Sequence, residues 1–392
     1  MRSGYIRNDL NEEMEILRTQ TCVLVLGTHR SGTSVLTHII SLLGASLPEN
    51  ILGANDTNPT GHWEPSRLVK LHDEMLMETG SQWDDWRAFD FSQLSLARQE
   101  HYKTQITRII REEYGSASIF VLKEPRISRF VGLYIEILRS LNIEIRIVLT
   151  NRNPLAVIAS LQTRTGMTFG FASLIWLRHE LDGEHTSRSH PRVFVSYETL
   201  LQDWHPIIDK VASVDSKLSL RTKKEKRAIE RFLSPQFRHH SASVSDLVDD
   251  ERICEWIKGS YKALKLLEAD PDDLSAIASL DCIRTQFNTT SKIFGEASFP
   301  EFFARRQAIT ESHAIDNRVL SDALADANTQ LEYTKSQLQD KLTEVERNNE
   351  HAELMLDNIR KVQNEIFLIT KSKTYILARV FQKIYSTLVF WK

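Results

Sequence analysis

Cysteine is scarce in this 392-residue chain: Cys22, Cys254 and Cys282 stand far apart, with no CxxC among them. That excludes a disulfide framework and a cysteine-rich zinc centre, and it fits a reducing compartment. Long apolar runs are missing too. Nowhere do about 18 apolar residues follow one another, so no membrane span is expected. Residues 1–20 hold no apolar stretch of the kind a secretory leader needs, and they read as an N-terminal extension of a cytoplasmic protein. Charge of one sign is lacking as well, with 49 Lys and Arg against 52 Asp and Glu and a net charge of −3. That balance argues against a general nucleic-acid binder. No His, Cys, Asp and Glu cluster has metal-ligand spacing, and no metal is expected.

What the chain does have is a globular composition, 41% hydrophobic and 26% charged. Cys22–Leu26, Ile119–Leu122, Ile145–Leu149 and Val193–Val195 are short runs rich in Val and Ile, bounded by polar or turn residues, and read as buried strands. Helix-length segments lie between them: Ser34–Leu43, Ser66–Glu78, Leu94–Glu113, Arg129–Ser140 and Pro154–Thr163. Pro65 and Pro154 sit at helix starts, where their fixed φ is an advantage. Strand–helix alternation with near-continuously apolar strands predicts an α/β fold, a parallel sheet flanked by helices, over residues 21–303. Ser213–Phe303 reads as mixed helix and loop, with no motif.

From Asn317 onward there is neither Gly nor Pro. Leu324, Leu331, Leu338, Val345, Ala352, Ile359 and Ile366 recur at seven-residue steps, while the companion row carries Thr334, Lys341 and Asn348 in its middle. This predicts a long helix over 317–366, either a weak coiled coil capable of self-association or a solvated helix. Residues 367–392 form a basic amphipathic tail. Lys371–Lys392 holds five Lys and Arg and no acid, and Leu377, Val380, Phe381, Ile384 and Leu388 share one helical face, with Tyr385 and Trp391 beside them. The pattern suits peripheral contact with an anionic membrane or an oligomerisation helix.

The chemistry concentrates where strand Cys22–Leu26 runs into Gly27-Thr28-His29-Arg30-Ser31-Gly32-Thr33-Ser34 and then a helix. Gly-x-x-x-x-Gly in that context is the spacing of a Walker A loop, whose backbone amides and helix N-terminus cradle a phosphate. A Walker A loop continues with Lys, which reaches the β- and γ-phosphates; here Thr33 stands instead. Ordinary triphosphate hydrolysis is therefore disfavoured, and the cation has moved to Arg30. An Arg at a strand's C-terminal end and a hydroxyl two turns into the next helix can also converge on one anion, and Arg152 and Ser160 have that spacing.

In these residues the chain resembles the sulfotransferases that use 3′-phosphoadenosine 5′-phosphosulfate, a family with a P-loop-like fold. GTHRSGTS is similar to the family's 5′-phosphosulfate loop, and Arg152 with Ser160 to its 3′-phosphate pair. Asn58-Pro59-Thr60-Gly61-His62-Trp63-Glu64-Pro65 and Leu122-Lys123-Glu124-Pro125-Arg126 resemble two blocks of a bacterial branch, the second with Glu124 in place of Asp. The resemblance covers about Thr21 to Leu201. It implies a phosphosulfate donor held by Gly27 to Ser34, Arg152 and Ser160, with Arg30 neutralising charge on the bridging oxygen. It also implies a base after the first helix, Glu64 in preference to His62, and an acceptor hydroxyl on a carbohydrate or glycolipid. His29 reads as shaping the loop. Trp83, Asp84, Asp85 and Trp86 are candidates for meeting a sugar. A P-loop kinase or nucleotide-binding protein, and a non-catalytic scaffold using the coiled coil, are the competing readings.

Overall fold

The structure, a computed structural model, describes residues 20–54, 61–220, 222–233 and 243–389, with side chains omitted at 296–317, 319, 388 and 389. The N-terminal extension up to residue 19, Asn58, Pro59, Thr60, Trp391 and Lys392 lie outside the described residues, as does the side chain of Leu388. Two units are distinguished, one reaching Ser298 and one beginning at Phe299.

The four apolar runs are four parallel strands: β1 (Thr21–Leu26), β2 (Ile119–Lys123), β3 (Glu144–Asn151) and β4 (Arg192–Ser196), in the order β2-β1-β3-β4. Every residue of β1, β2 and β4 is buried, as a sheet covered on both faces requires. Helices α1 (Thr33–Leu42), α2 (Ser66–Glu78), α3 (Leu96–Tyr114), α4 (Val131–Ser140), α5 (Pro154–Thr165) and α6 (Phe169–Ser187) follow the predicted segments through Thr165 and add α6. On one face of the sheet Val23, Val25, Val121 and Val148 pack with Leu36 and Ile39 of α1. Helix α6 is buried along most of its length, Trp176 and Leu177 completely.

The chain leaves β1 for β2 on one side, whereas β3 lies on β1's other side. The C-terminal ends of β1 and β3 therefore flank a topological switch point, the place where open α/β sheets bind ligands. Both phosphate-type motifs follow those two strand ends.

Beyond β4 come α7 (Tyr197–Gln202), α8 (His205–Ala212), α9 (Lys223–Phe232), α10 (Val244–Asp249), α11 (Glu255–Ala269) and α12 (Leu274–Val389). The long helix thus begins at Leu274, well before Asn317, and the segment read as a separate tail continues it. The start signal is Asp273, whose Oδ1 accepts the Ala276 amide at 2.8 Å. Gly295 and Pro300, residues that disfavour helix, lie inside it. Ala276, Leu280, Ile283 and Phe287 bury its first turns. In the second unit the heptad row is open to solvent, Leu324 at 63% and Leu338 at 69%.

Candidate active site

The loop after β1 is fixed by contacts that exclude larger residues. Gly27 has φ 146°, and a Cβ there would stand 2.1 Å from Thr150 Oγ1. Its amide donates to Ser128 Oγ at 3.0 Å. Thr28 donates its amide (3.2 Å) and hydroxyl (2.6 Å) to Glu180 Oε1 on α6. Ser31 and Thr150 share a hydroxyl–hydroxyl bond of 2.7 Å. Gly27, Thr28 and Ser31 therefore brace the loop from behind, and they are absent from the cavity wall.

Arg30 takes the left-handed region at φ 70°, and Gly32 follows at φ 97°. Gly32 is the N-cap of α1 and offers no side-chain cap. Gly32, Thr33, Ser34 and Val35 line a cavity of about 360 Å³, so the first-turn amides and the helix dipole face it. A Cβ on Gly32 would lie 2.2 Å from the Tyr197 ring.

Residues far apart in sequence meet at this mouth. Arg30 Nε donates to Ser160 Oγ at 2.9 Å, and Arg152 Nη1 donates to the Arg30 carbonyl at 2.6 Å. The Arg152 guanidinium lies 4.5 Å from the Tyr197 ring centroid. Arg30, Arg152 and Ser160 thus form one linked group, where the sequence suggested two separate stations. Burial pulls the Arg152 pKa down from its usual value, which sharpens its need for an anion.

The opposite wall comes from the Gly61-His62-Trp63-Glu64 segment. Trp63 sits at φ 59° and stacks its ring on His38, centroids 4.3 Å apart. What desolvates Glu64 is the cavity wall itself, where it is 6% exposed. Burial raises its pKa above the usual carboxylate value, while the Lys123 ammonium pulls the other way. Lys123, fully buried at the end of β2, donates to Glu64 Oε1 (2.7 Å), Ser34 Oγ (3.0 Å) and the His62 carbonyl. Its three protons are all used, and Glu64 keeps its second oxygen outside this bond. His62 also lines the cavity, with Nε2 buried and without a hydrogen-bond partner. Burial, Lys123, Arg164 and Arg30 lower its pKa to about 4, so the ring is neutral at physiological pH.

Glu124 does not reach the cavity. Its carboxylate receives Arg126 at 2.6 Å and contacts His72, whose other nitrogen lies 2.6 Å from the Tyr134 hydroxyl. This buried chain holds Arg126 on the wall, and Asp73 takes a second Arg126 nitrogen at 2.9 Å. His29 packs edge-on to Trp83 (4.9 Å) and His179 (5.6 Å), a packing role with its ring at the wall. Of the four residues considered for a sugar, Trp83 alone lines the cavity. Asp85 pairs with Arg87, and Trp86 is buried against Phe287.

Tyr197, Arg164, Thr150 and Glu180 escaped the sequence reading. Tyr197 had a signal, since it directly follows β4 as Gly27 follows β1. Arg164 lies one turn after Ser160 on α5, hence on the same face. It lines the cavity and makes no hydrogen bond or ion pair with the described residues. Among the described residues no group of three His, Cys, Asp or Glu side chains is placed to hold a metal.

Glu180 gives a pH test of the loop. Burial raises its pKa from 4.5 to about 7 against the pull of Thr28. An acid raised on folding adds stability at low pH and loses it as pH rises from its unfolded value through about 7. Glu180→Gln keeps an acceptor for Thr28 but cannot ionise. Its stability relative to wild type is expected to improve by up to about 3 kcal/mol between about pH 5 and pH 8.5. Thermal melts at the two pH values check this, and an unchanged difference would remove the assigned titration.

No family model matches the chain, and no curated protein does. Among solved structures it is similar to the sulfotransferase domain of the Synechococcus PCC 7002 olefin synthase, at 16% identity over 57% of this chain and 90% of that one, TM-score 0.34. It is similar to a sulfotransferase from Mycobacterium avium, at 13% identity over 59% and 73%, TM-score 0.35. A sulfotransferase domain from the curacin biosynthetic pathway is similar at 18% identity over 53% and 77%, TM-score 0.32. At scores this low, function has to be read from the site itself.

Proposed function

We propose that the chain is a sulfotransferase that moves a sulfuryl group from 3′-phosphoadenosine 5′-phosphosulfate to an acceptor hydroxyl, with a carbohydrate or glycolipid as the acceptor class. The observation that carries this is the linked group of Arg30, Arg152 and Ser160 beside an uncapped helix N-terminus, with Thr33 where a triphosphate enzyme needs Lys. Two anion stations side by side suit a donor with phosphate at both ends of its ribose. The first-turn amides from Gly32 to Ser34 are the proposed seat of the 5′-phosphosulfate, and Arg152 with Ser160 that of the 3′-phosphate.

Transfer forms a bond from the acceptor oxygen to sulfur as the bond from sulfur to the bridging oxygen breaks. The electron pair leaves with 3′-phosphoadenosine 5′-phosphate, and the acceptor proton passes to the free oxygen of Glu64. Charge gathers on the bridging and sulfuryl oxygens, so fixed cations contribute most. Arg30 serves the bridging oxygen, and Arg164, a wall cation with no hydrogen bond or ion pair among the described residues, serves the sulfuryl oxygens. Lys123 orients Glu64. The flat ring of Trp83 at the rim supports a sugar acceptor.

Calorimetry tests the reading. 3′-Phosphoadenosine 5′-phosphate is expected to bind at least about tenfold more tightly than ATP, the difference of one charge-assisted anion contact. Equal affinities would favour a kinase-like or general nucleotide-binding protein. Binding without sulfate-ester formation on any glycan acceptor would favour the scaffold.

A further inference from the structure

The second unit carries a surface unrelated to the cavity. From Ile366 to Val389 the long helix contains no Asp or Glu, but it holds Lys371, Lys373, Arg379 and Lys383. Ile376, Leu377, Val380, Phe381 and Ile384 recur at three- and four-residue spacing, which puts them on one stripe. They are 47–67% exposed, and Tyr385 beside them is 72% exposed. At 3.6 residues per turn Lys383 borders the stripe, and Lys371 and Arg379 lie farther round on the polar face. Lys373 interrupts the stripe near its start. Aromatic rings sit under two of these cations, Phe367 6.0 Å from Lys371 and Tyr375 5.7 Å from Arg379.

Charge decides what covers such a stripe. A second copy of this segment, parallel or antiparallel, brings cations against cations with no acid to pair them. An anionic lipid surface complements every cation, and the long Lys and Arg stems can snorkel while the stripe enters the acyl boundary. Among the described residues no helix is long and apolar enough to cross a membrane, so the segment would lie along the surface.

We propose that residues 366–389 are a docking surface for anionic lipid headgroups. Each basic residue close to such a surface strengthens attachment roughly fivefold, and salt weakens it. Full-length protein is expected to sediment with vesicles holding roughly one-third phosphatidylglycerol in ~0.1 M salt, and to release in ~1 M salt. It should stay with the supernatant over pure phosphatidylcholine. The full-length triple variant Lys371→Glu, Arg379→Glu, Lys383→Glu is expected to bind at least about 100-fold more weakly. Phe381→Ser with Ile384→Ser should also detach, since the stripe would lose its deepest-lying groups. All substituted residues are exposed, and circular dichroism confirms that the helix persists.

Attachment indifferent to lipid charge, or retained by the charge-reversed variant, overturns the proposal. So does wild-type protein that ignores vesicles while forming a dimer abolished by Phe381→Ser with Ile384→Ser, which would make the stripe an oligomer face.

Discussion

Glu64→Gln is expected to lower turnover about 10²- to 10⁴-fold, the usual worth of a positioned general base, with donor affinity within about twofold of wild type. The substitution keeps size and can keep a hydrogen bond to Lys123, so the wall should hold its shape. Rates against pH carry the sharper readout. A base that must be ionised makes the rate fall on the acid side through its own pKa. For Glu64 that limb lies above the ordinary carboxylate value, because burial outweighs the Lys123 charge. The Gln variant should lack the limb altogether. His62 as base would instead leave a limb near its value of about 4 in both proteins. Wild-type turnover in Glu64→Gln would transfer the role to His62.

Arg152→Ala is expected to weaken binding of 3′-phosphoadenosine 5′-phosphate roughly 10- to 100-fold, as loss of a charge-assisted contact does. Arg152 also supports the loop through the Arg30 carbonyl and stacks on Tyr197, so a control is needed. ATP has no 3′-phosphate and supplies it. If Arg152 recognises that phosphate, ATP affinity changes little; if the loop collapses, both affinities fall together. Titration calorimetry with the two nucleotides separates the outcomes. Unchanged affinity for both would take Arg152 out of the donor site.

The strands were legible because each is an apolar run, broken only by Arg146 in Ile145–Leu149, as burial on both faces requires. The strand order follows from none of those runs, although the two motifs at the ends of β1 and β3 point to where the crevice must be. The start of α12 was placed at Asn317, where the composition changes; Gly295 and Pro300 cost helix stability locally, yet the helix continues through them from turns already packed around Phe287. In the site, Arg30, Arg152 and Ser160 were visible through spacing, whereas His62 and Glu64 were picked out only through the family resemblance. The bonds among these residues were not visible, since spacing along the chain says nothing of Arg30 meeting Ser160, 130 residues away. The stacking of Trp63 on His38, from a residue at φ 59°, is equally invisible along the chain. Thr150 and Glu180 belong to supporting contacts that no local pattern announces.

The close approach of Tyr197 to Gly32 also limits how this sequence can drift. The missing Cβ at 32 is the room that the ring occupies, and the ring in turn is the plate on which Arg152 rests. Neither position is free to change alone. A methyl group at 32 needs a smaller 197 and still meets the strain of a left-handed φ of 97°, and a smaller residue at 197 leaves Arg152 without its aromatic support. Descendants that cross this barrier must therefore take linked steps: first a smaller 197, then a larger 32. Along the way they need a new way to steady the arginine.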